Sequence, residues 1–273
     1  MKLELQEATQ RAETNVYSKT VLRAFEILEA LDSDTPELGI RELSRKIGEP
    51  KSSVQRLVAT LVHIGVLEQN PATERYRIGF RLFELGARWL GSVSARDRIH
   101  QYLTQLVEET KETAYVAIAD NRGGAVYIDK VQSPQTIRTG APIGQRVSLS
   151  SSAIGRALLA YMSSNQVEEI LREPVECRTP KTITDPEKLR ETLAISIEQG
   201  YFLDDEESEI GLRCIAVPVL APDRTAVASI CVSGPSSRIT LERVSEIACT
   251  LRKTAETASG ELVYLLEQDG RLT

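Results

Sequence analysis

No stretch of the chain is apolar enough to cross a bilayer. The longest runs, such as Ile215 to Leu220, fall far below the ~20 residues a membrane-spanning helix requires. The opening residues MKLELQEATQRAETN are charged throughout and do not read as a signal peptide. We therefore expect a cytoplasmic protein with no membrane partner. Cysteine and histidine are scarce. Cys177, Cys214, Cys231 and Cys249 stand 37, 17 and 18 residues apart without a C-x-x-C, and only His63 and His100 could add imidazole ligands. Structural zinc is not expected, and in a reducing compartment neither are disulfides. There is no G-x-S-x-G elbow or evident triad for a hydrolase, and no G-x-x-x-x-G-K-[ST] or G-x-G-x-x-G loop for a nucleotide. No internal repeat or low-complexity segment is visible. The expectation is a non-enzyme without catalytic residues, metal or cofactor.

What is present allows two medium domains: 273 residues, of which 41% are hydrophobic. The net charge of −6 is unevenly spread. Residues 18–90 carry eleven Lys/Arg and ten Asp/Glu, while residues 91–273 carry twenty and twenty-six. Phosphate attraction acts over a Debye length of about 8 Å, so a near-neutral module with one basic face can still meet DNA, particularly when two modules act together.

The most informative stretch is Gly39 to Leu61, GIRELSRKIGEPKSSVQRLVATL. Ile40, Leu43 and Ile47 recur at helical spacing and stop at Gly48, a residue that accepts the positive φ of a helix end. Pro50 suits the first position of a second helix. There Val54, Leu57, Val58 and Leu61 gather on one face, leaving Lys51, Ser52, Ser53, Gln55, Arg56 and Ala59 for the other positions. Arg can bridge a guanine edge, Gln can pair with adenine, and Ser, Lys and helix-terminal amides suit phosphate oxygens. A solvated face on an ordinary helical hairpin would read the same way.

The residues that follow favour DNA. Gly65 to Glu68 is extended, Asn70-Pro71-Ala72-Thr73 is a turn cluster, and Arg75-Tyr76-Arg77-Ile78 alternates like a half-buried strand. This is a β-hairpin wing, with Arg75 and Arg77 expected on one face, available to phosphates or a minor groove. A helix starting at Ser18, with Val21, Phe25 and Leu28 as its inward stripe, precedes the hairpin of helices. After the wing, Phe80, Leu82, Phe83, Leu85 and Trp89 read as a linker helix whose apolar side either packs on its own domain or pairs with a second chain; pairing is preferred. The domain expectation is a flexible tail at 1–17, a winged helix-turn-helix at 18–79, a linker helix at 80–92 and a second domain at 93–273.

From about Val93 the pattern is mixed. A helix is expected near Asp97 to Thr110, and strands at Ala114 to Ala119 and Ala125 to Val131 about the turn Asp120 to Gly124. Helices follow at Ala153 to Met162, Asn165 to Leu171 and from Asp185-Pro186 to Gly200, then strands at Cys214 to Leu220 and Val227 to Val232, and a final helix from Leu241 to Leu266. The fold class is α+β with a mainly antiparallel sheet.

Several spaced segments together carry a family likeness: VYSKTVLRAFEILEAL, REL-x6-EPKSSVQRLVATL, ERYRIGFRLFELG, SAIGRALLA, GYFLDDEES-x2-GLRCIAVPV and SICVSGPSSR. In this order, from residue 17 onward, the chain resembles the IclR-type bacterial transcriptional regulators. The resemblance implies an N-terminal winged helix, a linker helix and a GAF-like C-terminal effector-binding domain, assembled as a homodimer or homotetramer. It further implies a ligand-responsive regulator, a repressor of a catabolic operon, whose partners are a double-stranded DNA operator of pseudo-palindromic sequence and a small-molecule effector.

Residue chemistry suggests a carboxylate for that effector. Ser150-Ser151-Ser152 lead into a helix whose first turn holds Ala153, Ile154 and Gly155, so hydroxyls and N–H groups lie open to an anion; plain N-capping with close packing at Gly155 is the competing account. By the resemblance, Asp204, Cys214, Cys231 and Ser233 line the same pocket, with Cys231 where a small polar residue is expected. A small-molecule-binding protein or enzyme whose winged helix serves protein interaction remains the alternative function.

Overall fold

The computed structural model describes residues 17–32, 35–89, 93–120 and 123–268, of which 88–89, 93–97 and 261–268 by backbone only. The tail up to residue 16, the linker beyond Trp89, and Asn121 and Arg122 of the turn lie outside the described residues. The chain divides into two compact units, residues 1–91 and 92–273.

In the first unit, helices α1 (Lys19–Glu29), α2 (Ile40–Ile47) and α3 (Lys51–His63) precede strands β1 (Leu67–Gln69) and β2 (Tyr76–Ile78) and helix α4 (Phe80–Trp89). Helix α2 ends where Gly48 adopts φ 71°, as a left-handed C-cap should. Pro50 is the N-cap of α3 rather than its first residue, and its carbonyl receives the amides of Ser53 and Val54. The strands pair antiparallel, Leu67 opposite Ile78, and Leu38 adds a bridge to Tyr76. Gly79 is obligatory, because a Cβ there would lie 2.3 Å from the Gly65 carbonyl oxygen.

The inward stripe of α1 differs from expectation. Val21 and Phe25 are 54% and 55% exposed, whereas Ile27 is fully buried and Ala24, Leu28 and Leu31 pack beside it. Positions 24, 27, 28 and 31 form an equally regular helical stripe. Which one turns inward depends on where the α2–α3 hairpin stands, a property of the tertiary fold.

The second unit begins with α5 (Val93–Thr110) and the hairpin β3 (Thr113–Ala119) and β4 (Gly124–Val131). Next come β5 (Arg146–Ser148), α6 (Ala153–Leu159), α7 (Ser164–Arg172), α8 (Pro186–Gln199) and β6 (Phe202–Asp205). It closes with β7 (Leu212–Leu220), β8 (Ala226–Pro235) and α9 (Leu241–Gln268). One six-stranded sheet runs in the order β5-β4-β3-β8-β7-β6, and every pairing in it is antiparallel. The edge strands β5 and β6 have three and four residues, too few for alternation to reveal in sequence.

Strand alternation sorts the core into two layers. On one face Val116, Ile215, Val217, Ile230 and Val232 meet Leu103 and Leu106 of α5 and Val244, Ile247 and Leu251 of α9. On the other, Tyr115, Ala117, Ala216 and Cys231 meet Ile154 and Leu158 of α6 and Leu189 and Leu193 of α8. The first face is paved with branched residues. The second carries several small ones, which leaves space above the sheet.

Candidate DNA interface and effector cavity

Helix α3 is anchored by Val54, Val58 and Leu61, all buried, with Leu57 half-buried. Lys51, Ser52, Gln55 and Arg56 are exposed on its other side, and Ser53 is half-buried. The element therefore presents, over a buried aliphatic anchor, side chains of the types that suit base edges and phosphate oxygens.

The wing is fastened to α2. Arg75 donates Nη2 to both carboxylate oxygens of Glu42, at 2.9 and 2.7 Å, and Nε to the Glu37 carbonyl. Glu42 also accepts the Gly39 amide at the start of α2, and that bond, with Arg75 beside it, holds its carboxyl below the usual range. Arg77 lies 3.3 Å from Glu68 and 3.8 Å from Glu37. Arg75 and Arg77, expected to stand open to phosphates, are each paired with a carboxylate of their own unit while their side chains stay 40% and 53% exposed. The physical reason is cross-strand and wing-to-helix pairing, invisible until the hairpin register is known.

In the second unit a cavity of about 550 Å³ opens on the small-residue face of the sheet. Ser152, Ala153, Ile154, Asp204, Cys214, Cys231 and Ser233 all line it. Gly155 does not. A Cβ on Gly155 would lie 2.1 Å from the Ser148 carbonyl oxygen and 2.7 Å from the Leu149 Cα, so this glycine serves the close approach of α6 to the serine segment.

Ser152 caps α6 by accepting the Gly155 amide and itself donates to the Ser148 carbonyl. The amides of Ala153 and Ile154 occupy the first two helical positions, where no intrahelical acceptor exists. On the β6–β7 side of the cavity, Asp204 accepts the amides of Glu207 and Ser208 and the Ser208 hydroxyl, whose oxygen also lies 3.1 Å from the Ser151 carbonyl. Burial nonetheless pushes the Asp204 carboxyl above its ordinary value. Cys214 and Ser233, directly opposite across β7 and β8, lie 3.0 Å apart through Sγ and Oγ. Burial raises both cavity thiols, Cys214 and Cys231, so they are small polarizable wall groups and not thiolates.

Several lining residues escaped the sequence reading. Tyr115 and Tyr127 pack with ring centroids 4.7 Å apart and planes tilted by 35°, and the Tyr115 hydroxyl donates to Thr139. Their strand positions were legible, but not that they face a void. Thr139, Arg138 and Ile137 come from the segment between β4 and β5, which has no periodicity to read. Behind the cavity wall, Arg156 is almost wholly buried and forks onto the Glu207 carboxylate while donating to the Ser150 and Leu203 carbonyls. An arginine in a helix reads as a surface residue unless its partner is known.

A winged helix-turn-helix unit followed by a separate α+β unit defines the class of helix-turn-helix DNA-binding regulators. The model of the IclR helix-turn-helix domain matches residues 20–71, and that of the bacterial transcriptional regulator IclR C-terminal domain matches residues 87–260. The chain is 38% identical over 247 residues to the transcriptional regulator KdgR of Escherichia coli, covering 90% of this chain and 93% of that one. It is 35% identical over 251 residues to the transcriptional repressor IclR of the same organism, covering 91% of each. The crystal structure of Thermotoga maritima IclR superposes with a TM-score of 0.72 at 30% identity, covering 90% of this chain and 99% of that one. This protein belongs to the IclR family of bacterial transcriptional regulators, which bind DNA and are not enzymes.

Proposed function

We propose that the protein is a repressor of a catabolic operon. It binds a pseudo-palindromic operator as a dimer or dimer of dimers, and a small organic acid held in the cavity sets its affinity for that operator. The observation that carries the reading is the open face of α3, Lys51, Ser52, Gln55 and Arg56 outward over an aliphatic anchor. Ser53, half-buried at the leading end, contributes through its first-turn position, and Arg77 meets phosphate by sharing its bond with Glu68, while Arg75 holds the wing to Glu42.

Self-association is supported by apolar side chains left in water on this unit. Phe80 and Phe83 of α4 are 63% and 64% exposed, and Val21, Leu22 and Phe25 of α1 are exposed as well. A second copy would cover them and place two recognition helices for two half-sites. The carboxylate preference rests on the Ala153 and Ile154 amides and the Ser151 hydroxyl at one end of the cavity. Asp204 and the Cys214–Ser233 pair then meet the ligand's polar end. The ligand acts by binding one dimer geometry better than the other, and shifts operator affinity only by that difference.

Replacing Arg56 by Ala should abolish preference for the operator over random duplex by at least tenfold while leaving thermal stability within about 0.5 kcal/mol, since an exposed side chain supports no packing. Electrophoretic mobility shift against both duplexes measures this. Retained specificity in Arg56→Ala would reject α3 as the reading element.

A further inference from the structure

The cations of the first unit fall into two sets by what they touch. Arg23 pairs with Glu49, Lys46 with Asp32, Arg75 with Glu42, Arg77 with Glu68 and Glu37, and Arg81 with Glu84. Among the described residues, Lys19 at the start of α1, Arg41, Arg45, Lys51 and Arg56 have no ion-pair partner. Lys51 and Arg56 belong to the reading helix. Arg41 and Arg45 belong to α2, one turn apart and both exposed, and so share a face.

Arg41 also has a definite setting. A groove of about 520 Å³ is walled by Arg41 of α2, Lys51 and Gln55 of α3, and Gln69, Thr73 and Arg75 of the wing. A helix lying in a major groove is flanked by the two phosphate ridges, so a cation on the neighbouring helix α2, beside Lys51 at the leading end of α3, meets a ridge. Two carboxylates, Glu42 and Glu74, stand in the same groove and would repel phosphate. Glu42 is silenced by Arg75 and by the Gly39 amide.

Resting on the DNA-binding reading above, we infer that Arg41 is a phosphate-contacting residue of the operator complex, whereas Arg75 serves the interface indirectly, by neutralising Glu42 and fastening the wing. The two arginines therefore differ in what removing them does to the salt dependence of binding. Each phosphate contact contributes about −0.9 to the slope of log K against log salt. Arg41→Gln should reduce the magnitude of that slope by about 0.9 for each bound protomer, and Arg41→Lys should restore it, because the contact is a charge and not a base-specific fork. The paired replacement Glu42→Gln with Arg75→Gln removes a neutral unit and should leave the slope at its wild-type value.

The test uses the full-length protein and a fluorescently labelled 30-base-pair duplex of random sequence, with anisotropy followed across a sodium chloride series. Circular dichroism confirms that each variant is folded; Arg41 is exposed and makes no bond that folding needs. A reduced slope in Arg41→Gln, recovery in Arg41→Lys and an unchanged slope in the paired variant support the inference. A wild-type slope in Arg41→Gln, or an equal loss in the paired variant, overturns it while the DNA-binding reading stands. A wild-type protein that shows no salt-dependent binding overturns the DNA-binding reading itself.

Discussion

Asp204 illustrates how one side chain can be well bonded and still carry a cost. Three donors hold its carboxylate, yet burial outweighs them and raises its pKa. The native state then keeps this proton to higher pH than the unfolded chain, whose Asp titrates near 3.9, so the group's contribution to stability falls as pH rises from about 4 through the raised native value. Asp204→Asn removes the charge while keeping an oxygen for the Glu207 and Ser208 amides. Its melting temperature relative to wild type should therefore climb between pH 4 and neutrality. A difference that stays constant across that range would mean burial does not dominate at Asp204. The residue itself was legible as a pocket member, whereas its partners Ser208 and Glu207 were not, because the turn after β6 brings them back onto it.

At the scale of elements, the cavity's walls are held by a buried ion pair between the helix α6 and the turn after β6. Arg156 and Glu207 are 1% and 8% exposed in their side chains, and Thr182 and the Ile183 amide bond to Glu207 as well. Arg156→Met would leave a buried carboxylate without its cation. The expected cost is about 3–5 kcal/mol, read by urea unfolding, and adding Glu207→Gln should recover a large part of it. A single variant within about 1 kcal/mol of wild type would contradict this account of the strut. Element identity was largely readable: α3, the wing, the β3–β4 hairpin, β7, β8 and α9 all form near their expected bounds. One misreading and two omissions have a common origin. The face that α1 buries was misread, and the pairing of Arg75 with Glu42 and the strand Phe202–Asp205 went unread; each is decided by a neighbour distant in sequence, about which local periodicity carries no information.

For the molecule as a whole, the proposed coupling has a reciprocal form. If a small carboxylate weakens operator binding by some factor, operator weakens carboxylate binding by the same factor. A thermal-shift screen of keto acids, sugar acids and aromatic acids should find a ligand that raises the melting temperature, by about 2.7 kcal/mol of stabilisation at a hundredfold excess over Kd. That ligand should alter operator affinity by about 5- to 150-fold, and Ser233→Ala should remove both effects together. A ligand that stabilises the Ser233→Ala variant as strongly as wild type would place the sensing site outside this cavity. The family relationship carries the regulatory role, while Cys231, Tyr115 and Tyr127 are wall residues that the proposed effector would meet.

The amino-acid order alone determined the helix–turn–helix, because apolar spacing, a glycine stop and a proline start act over a few residues and leave the Lys51–Arg56 face outward whatever else the chain does. It also determined the antiparallel strands, through alternation. Only the tertiary structure decided which arginines remain free for a polyanion and where a cavity opens. Both depend on register across the sheet and on pairing between segments tens of residues apart, and a Coulombic partner or a missing neighbour is a fact of three-dimensional distance.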